Sequence, residues 1–185
     1  MTSVLPIDEL NTLETRLTQQ FAGGLPTSRK EQEDIIDELL DLFLLAYAMG
    51  NSITNNNLMS NYAPSVDEVM KVVNEKVAGK TWKERAEEYF DNGGTGADIV
   101  RIADTEAHRI ANTAAFETAK QAGAKSKTWV TMADERVRDT HQYLEMETVG
   151  IDEDFYTYDG DHAPAPGLFE LAENNVNCRC ELIFS

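Results

Sequence analysis

Apolar residues recur at helical spacing along the first half of the chain, which predicts a helical N-terminal region. A first stripe ends at the segment GGLP, residues 23–26, whose glycines and proline break a helix. A second stripe predicts a longer helix that stops at Gly50 and Asn51, followed by a polar, asparagine-rich connection with hinge character at residues 51–65. The first stripe is Ile7, Leu10, Leu13, Leu17 and Phe21, and the second is Ile35, Leu39, Leu42, Phe43 and Tyr47.

Three more helices are predicted between residues 65 and 121. The last and longest covers about residues 97–121 and ends before Gly123, as helices commonly do. Ser or Thr followed three residues later by Glu predicts capping boxes, in which the two side chains satisfy free backbone amides. These pairs are Ser28 with Glu31, Ser65 with Glu68, and Thr81 with Glu84.

The pattern changes after Gly123. The segment KTWVTMAD alternates polar and apolar residues and predicts a strand, and Asp134 stands at the N-cap position of a short helix, ERVRDTHQYLEM. Further extended pieces are predicted in TVGIDEDFYTYDG and NCRCELIFS. The predicted fold is therefore α+β: a mainly helical N-terminal arm, residues 1–94, followed by a small α+β module with a short sheet, residues 95–185.

The charge of the chain restricts its partners. The 185 residues carry a formal net charge of −17, and such an acidic surface disfavours general nucleic-acid binding. Residues 101–138 are locally basic, and the alternative of a DNA contact there would use Lys120, Lys125, Lys127 and Arg136. The most apolar stretch is too short and too acidic for a bilayer span, and the N-terminus lacks a secretion signal, so a cytoplasmic origin without membrane contact is expected.

The only cysteines, Cys178 and Cys180, are separated by Arg179. In a strand, two such side chains face the same way. A disulfide would close a small strained ring and is the least favoured reading, while burial as packed thiols is favoured. The alternative is a zinc site formed by Cys178, Cys180 and His141, with His162 or Asp134 as the fourth ligand.

Two polar groups on predicted helices could carry chemistry. Glu106, Arg109 and Asn112 share one helix face, where a satisfied internal network is favoured over Glu106 as a general base. Asp134, Arg138 and His141 would lie on one helix, where a structural network is favoured over an anion-binding or catalytic cluster. The common enzyme motifs HExxH, GxSxG, GxGxxG and the P-loop are absent from the sequence, so no catalytic residue is assigned.

Several of these segments occur together in an order that resembles the phage Mu F-like minor head proteins, also called phage head morphogenesis proteins. They are TEAHRIANTAAFETAKQAG, KTWVTMADERVRDTHQYLEMETV, APAPG and NCRCEL, over about residues 95–184. The residues that carry the resemblance are Thr105, Glu106, Arg109, Asn112, Trp129, Asp134, Arg138, His141, Pro166, Gly167, Asn177, Cys178, Arg179 and Cys180. We expect Asn177 and Arg179 to join Glu106, Arg109, Asn112, Asp134 and Arg138 as structural polar residues.

The resemblance implies a non-enzymatic minor capsid protein of a tailed phage or prophage, made in the host cytoplasm and located inside the head at the portal vertex. It implies roles in head assembly and in DNA packaging or ejection, with the portal protein or the major capsid protein as partner, and no cofactor apart from the candidate zinc. Toxin relatives of the family suggest an alternative, an ADP-ribosyltransferase-like effector packaged in the head. Glu145 and Glu147 are the weak match to its catalytic pair.

Overall fold

The computed structural model describes residues 7–185, so the first six residues of the predicted arm and the side chain of Ile7 lie outside the described part. The helices are α1 (Ile7–Gln20), α2 (Arg29–Leu58), α3 (Val66–Val73), α4 (Trp82–Asp91), α5 (Gly96–Gln121), α6 (Asp139–Gln142) and α7 (Ala172–Asn175). The strands are β1 (Ser126–Val130), β2 (Thr148–Gly150), β3 (Phe155–Tyr156), β4 (His162–Ala163) and β5 (Glu181–Phe184). The predicted α+β fold is confirmed.

Helix α5 packs against each of α1, α2, α3 and α4 and so organises the helical region. Its Ala-rich surface permits close approach of its neighbours. The tightest approach is at Gly50 of α2, where a Cβ atom would lie 2.2 Å from the carbonyl oxygen of Ala111. Glycine at position 50 therefore brings two helices together. The buried apolar core of this region includes Leu13, Leu17, Ile35, Leu39, Phe43, Tyr47, Val73, Trp82, Ile99 and Ile110.

The predicted stop of the second helix at Gly50 is wrong, because α2 continues to Leu58. The asparagines that suggested a flexible connection instead make tertiary contacts. Asn51 donates to the Thr118 hydroxyl at 2.8 Å, and Asn55 donates to the Tyr62 carbonyl at 2.8 Å. These partners are distant in the sequence or lie beyond the helix end, so local composition did not reveal them.

Two of the three predicted capping boxes are confirmed. Ser65 and Thr81 each accept from the backbone amide three residues on, and Glu68 and Glu84 accept from the amides of these caps. Ser28 does occupy the N-cap of α2, but its side chain makes no capping hydrogen bond. The capping box predicted with Glu31 is therefore wrong.

The C-terminal region contains two small antiparallel sheets. In the larger sheet β1 lies between β2 and β5, with Trp129 opposite Leu182. In the smaller sheet β3 pairs with β4. A compact apolar core, called here the C-terminal core, lies beside these strands and consists of Trp129, Leu144, Phe155, Ala163, Phe169, Cys178 and Cys180.

Two expectations for this region are wrong. The helix after β1 is only α6, with Arg138 rather than Asp134 at its N-cap, because residues 131–138 follow an irregular path. The two cysteines precede β5 rather than lie within it. Asp134 instead forms an ion pair with Arg179.

Within the described part of the chain, most buried apolar side chains belong to either the helical core or the C-terminal core. Most of the buried apolar residues of α5 belong to the helical core, while its His108 and Asn112 side chains reach the C-terminal region. The division between residues 94 and 95 stays a prediction. None of the helices within residues 7–185 combines the length and hydropathy that a bilayer span requires.

Candidate functional site

Helix α5 carries a buried ion network on the side that faces α3 and α4. Both oxygens of Glu106 are engaged: one accepts from Arg109 Nε at 2.8 Å, and the other pairs with Arg85. Arg109 also donates to Glu75 at 3.0 Å and to the carbonyl of Val72 at 3.0 Å. Because Glu106 and Arg109 are each only 1% exposed, this geometry favours the structural network over a general base.

A second set of α5 side chains holds the irregular segment 176–180, called here the CRC loop. The carbonyl oxygen of Cys180 accepts from His108 Nε2 at 2.7 Å and from Asn112 Nδ2 at 3.1 Å. The backbone amide of Asn177 donates to the hydroxyl of Thr105 at 3.2 Å. Three side chains of one helix therefore fix the backbone of the CRC loop.

The predicted polar residues around the CRC loop contribute in different ways. Asn177 acts through its backbone, since its φ of 55° lies in the left-handed region, which Asn tolerates better than most residues. Arg138 donates to the Val176 carbonyl. Arg179 makes a two-bond ion pair with Asp134, at 2.6 and 2.8 Å, and its hydrogen bonds hold the pKa of Asp134 below its usual range.

The CRC loop directs both thiols at one imidazole nitrogen. Cys180 Sγ lies 3.4 Å and Cys178 Sγ 3.6 Å from His141 Nδ1, and all three residues are buried. Both cysteines are free, in agreement with the low rank of a disulfide. Hydrogen bonding from the Cys180 thiol holds the pKa of Cys178 well below its usual range, and the same contact raises the pKa of Cys180.

The structure brings together three of the predicted zinc ligands but neither candidate for the fourth. His141, Cys178 and Cys180 offer donor atoms within 4.8 Å of one another. His162 instead bonds Asp154 at 2.9 Å, and Asp134 is engaged by Arg179. His141 is held among aromatic rings, stacked on Phe169 and edge-on to Trp129.

A cleft of about 1190 Å³ opens between α1, α5 and the CRC loop. Arginine side chains are prominent in its lining, although the chain as a whole is strongly acidic. Arg138 and Arg179 contribute to this lining while holding the CRC loop in place. The other cationic residues of the cleft are Arg101 and Arg136, and its acidic ones are Glu14, Asp104 and Glu181.

Two of the four residues that a DNA contact would use are engaged within the protein. Lys127 is fully buried, donates to the carbonyl of Pro164 at 2.8 Å and lies 4.3 Å from the centre of the Phe116 ring. Lys120 pairs with Asp152 at 2.7 Å. Lys125 and Arg136 remain exposed.

Sequence reasoning missed two residues that organise the C-terminal region. His108 lies one turn before Asn112 on the same face of α5, and this spacing could have identified it. The carboxylate of Asp161 accepts from the backbone amides of three residues and from the side chain of Asn174, which no local pattern indicates. The three amides are those of His162, Glu170 and Leu171.

Glu145 and Glu147, the weak match to a transferase pair, have separate surroundings. Glu145 is exposed and accepts from the backbone amide of Thr131 at 2.7 Å. Glu147 is half-buried, and its backbone carbonyl accepts from Trp129. Neither residue lines the arginine-containing cleft.

Two known proteins are similar in sequence to parts of this chain. The chain is 35% identical over 85 residues to the minor head protein GP7 of Bacillus phage SPP1, covering 44% of this chain and 28% of that protein. It is 32% identical over 151 residues to the NAD(+)--arginine ADP-ribosyltransferase EFV of Enterococcus faecalis, covering 63% of this chain and 31% of that protein. The chain thus spans less than a third of the length of these two relatives.

No solved structure matches the chain at a significant level. The family described as "Phage Mu protein F like protein" matches residues 65–183, which is more than half of the chain and includes α5, α6 and the CRC loop. The chain therefore belongs to the phage Mu F-like family of phage minor head proteins.

Proposed function

We propose that this chain is a non-enzymatic head-assembly protein that sits inside the phage head at the portal vertex and contributes to DNA packaging or ejection. Its partner would be the portal protein or the major capsid protein. Membership of a phage minor head family is the basis of the proposal. The location at the portal and the part played in packaging are the steps that we add.

One observation carries the non-enzymatic part of the proposal. Three deeply buried polar residues of the family pattern are bonded to one another or to the backbone: Glu106 to Arg109, and Asn112 to the CRC loop. Each of these three side chains is only 1% exposed. A catalytic carboxylate needs access to its substrate, whereas Glu106 and Arg109 hold α5 against α3 and α4, and Asn112 holds α5 against the CRC loop.

A groove between α1 and α2 is the contact surface that we assign to the partner. It has a volume of about 340 Å³, and leucine side chains lie among carboxylates in its lining. Such a surface fits a basic segment that also presents apolar side chains, because the carboxylates attract the charges while the leucines supply apolar contact. The lining includes Asp8, Glu9, Glu38, Asp41, Leu13, Leu42 and Leu45.

Complementation in the encoding phage or prophage tests this proposal. Deletion of the gene is expected to reduce the yield of infectious particles, and the wild-type chain supplied in trans should restore it. Asp41→Lys, which reverses a charge in the groove, should restore it poorly, while Asp67→Lys on α3 should restore it fully. Both aspartates are exposed, so neither change disturbs the core. An unchanged yield after deletion would contradict the proposal.

A second candidate function is that of an ADP-ribosyltransferase-like effector packaged in the head. It is favoured by the identity to the Enterococcus faecalis protein, which is named for that activity. On this hypothesis the purified chain consumes NAD⁺, and Glu145→Gln or Glu147→Gln abolishes the reaction. We expect neither NAD⁺ binding in calorimetry nor nicotinamide release, and release that depends on either glutamate would replace the first proposal.

A further inference from the structure

We propose that His141, Cys178 and Cys180 bind one zinc ion, which fastens the CRC loop to α6. The head-assembly proposal does not use this site, and the two can fail separately. The three residues come from two segments that are far apart in the sequence, so an ion shared between them would act as a cross-link. It would do so in the region with the smaller apolar core.

The spacing of the donor atoms fits a tetrahedral ion. Zinc binds thiolate sulfur at about 2.3 Å and imidazole nitrogen at about 2.0 Å, so a tetrahedral site holds sulfur and nitrogen about 3.5 Å apart. The two Sγ atoms lie 3.4 and 3.6 Å from His141 Nδ1. Both S–N distances therefore match those expected around one ion bound by all three atoms.

The convergence of the donor atoms also suits a cation. A neutral imidazole has one unprotonated nitrogen, and here two thiols converge on the same nitrogen of His141. A zinc ion bound by both sulfurs would use the lone pair of that nitrogen as its third bond.

The surroundings hold the three ligands in position. The carbonyl of Cys180 is fixed by His108 and Asn112, and the amide of Cys178 donates to the Asn175 carbonyl at 3.1 Å. The His141 ring is confined by Phe169 and Trp129. Because the ligands are ordered by these contacts, ion binding would cost little conformational entropy.

A small cavity beside the trio provides the fourth coordination position. Its volume is about 10 Å³, and His141 and Cys180 contribute to its lining. That is room for about one water molecule. We assign a coordination shell of two sulfurs, one nitrogen and one water oxygen. Two thiolates balance the charge of Zn²⁺, so the site has no net charge, which suits a buried position.

Zinc titration of the full chain tests the site. Protein stripped of metal should bind about one Zn²⁺ in competition with a chromogenic chelator. Co²⁺ should give the strong near-ultraviolet absorption of a cobalt–thiolate bond. His141→Asn and Cys180→Ser should each weaken zinc binding more than about 100-fold. His162→Asn should leave binding unchanged, because that half-exposed ring pairs with Asp154.

X-ray absorption of the wild-type zinc protein keeps the test decisive if the variants fail to fold. It should reveal two sulfurs in the first coordination shell. The wild-type protein should also melt at a higher temperature with zinc than with a chelator. Absence of zinc binding, a shell without sulfur, or binding that survives in a folded Cys180→Ser variant would overturn the proposal.

Discussion

The helical region and the C-terminal region are stabilised in different ways. In the helical region, long apolar stripes on α1 to α5 pack into one core, and regular helices satisfy their own backbone hydrogen bonds. In the C-terminal region the strands have at most five residues, and the apolar core is much smaller. Much of its irregular backbone must be satisfied by side chains instead.

Asp161 illustrates the second kind of stabilisation. Its carboxylate organises the turn that leads into α7, while Asn175 exchanges hydrogen bonds with the backbone of Phe169 at 2.6 and 2.9 Å. Both side chains are buried. A small core combined with specific polar contacts makes individual polar residues as important here as apolar residues are in the helical region.

The largest loss of stability is expected when the buried ion network of the helical region is disrupted. Arg109→Met should lower the free energy of unfolding by roughly 3–5 kcal/mol, because it removes one partner of a buried ion pair and the donor to the Val72 carbonyl. Arg29→Met, at a pair whose side chains are 91% and 64% exposed, should change it by less than about 1 kcal/mol. Urea denaturation measures both, and equal effects would refute a structural role for the network.

Asp161→Ala tests the polar support of the C-terminal region. Three backbone amides and Asn174 would lose their acceptor, so we expect the free energy of unfolding to fall by about 3 kcal/mol. Glu173→Ala is the matched control, because that side chain is exposed in the same segment. Hydrogen exchange should show faster exchange at Glu170 and Leu171 in the Asp161 variant. Unchanged exchange there would mean that Asp161 does not organise the turn.

Gly50→Ala tests close packing in the helical region. Alanine normally stabilises a helix relative to glycine, but its Cβ would lie 2.2 Å from the Ala111 carbonyl oxygen. We therefore expect the free energy of unfolding to fall by about 2 kcal/mol because of overpacking. Gly23→Ala, where no atom lies within 4 Å of the new Cβ, should be close to neutral. Stabilisation by Gly50→Ala in thermal unfolding would contradict the close approach of α2 and α5.

The smallest expected effect is the contribution of Lys127 to the free energy of unfolding, which depends on pH. Burial lowers its pKa from 10.5 to about 8, so between these values the unfolded chain binds more protons and stability rises with pH. From about pH 7 to about pH 9, the free energy of unfolding of the wild-type protein should rise by about 1 kcal/mol relative to that of Lys127→Met. Urea unfolding of both proteins at several pH values measures this gain. A difference that stays constant with pH would exclude a buried amine with a lowered pKa.

The helical region was largely predictable because its signals are local. Periodicity and caps indicated α1 and α3 to α5, including the start of α5 near residue 97 and its end before Gly123. The end of α2 was missed because Asn51 and Asn55 are satisfied by residues outside the helix. Glycine at position 50 has a packing role that only the position of Ala111 reveals.

The C-terminal region was predictable in its residues but less so in its geometry. The sequence suggested His141, Cys178 and Cys180 as a set only in the zinc alternative to packed thiols, and the structure brings the three residues together. It suggested a helix from Asp134 and a strand through both cysteines, and both suggestions were wrong. Long-range contacts determine the observed backbone in both places. Asp134 forms an ion pair with Arg179, and side chains of α5 hold the backbone of the CRC loop.

Cross-linking mass spectrometry of purified phage heads tests whether the chain is a head protein that binds its partner through the groove between α1 and α2. A reagent that joins carboxylates to amines should link Glu38 or Asp41, in that groove, to lysines of the portal or major capsid protein. We predict that the chain is present in the heads and that these links are lost in Asp41→Lys particles. Heads that lack the chain, or links that avoid the groove altogether, would contradict it.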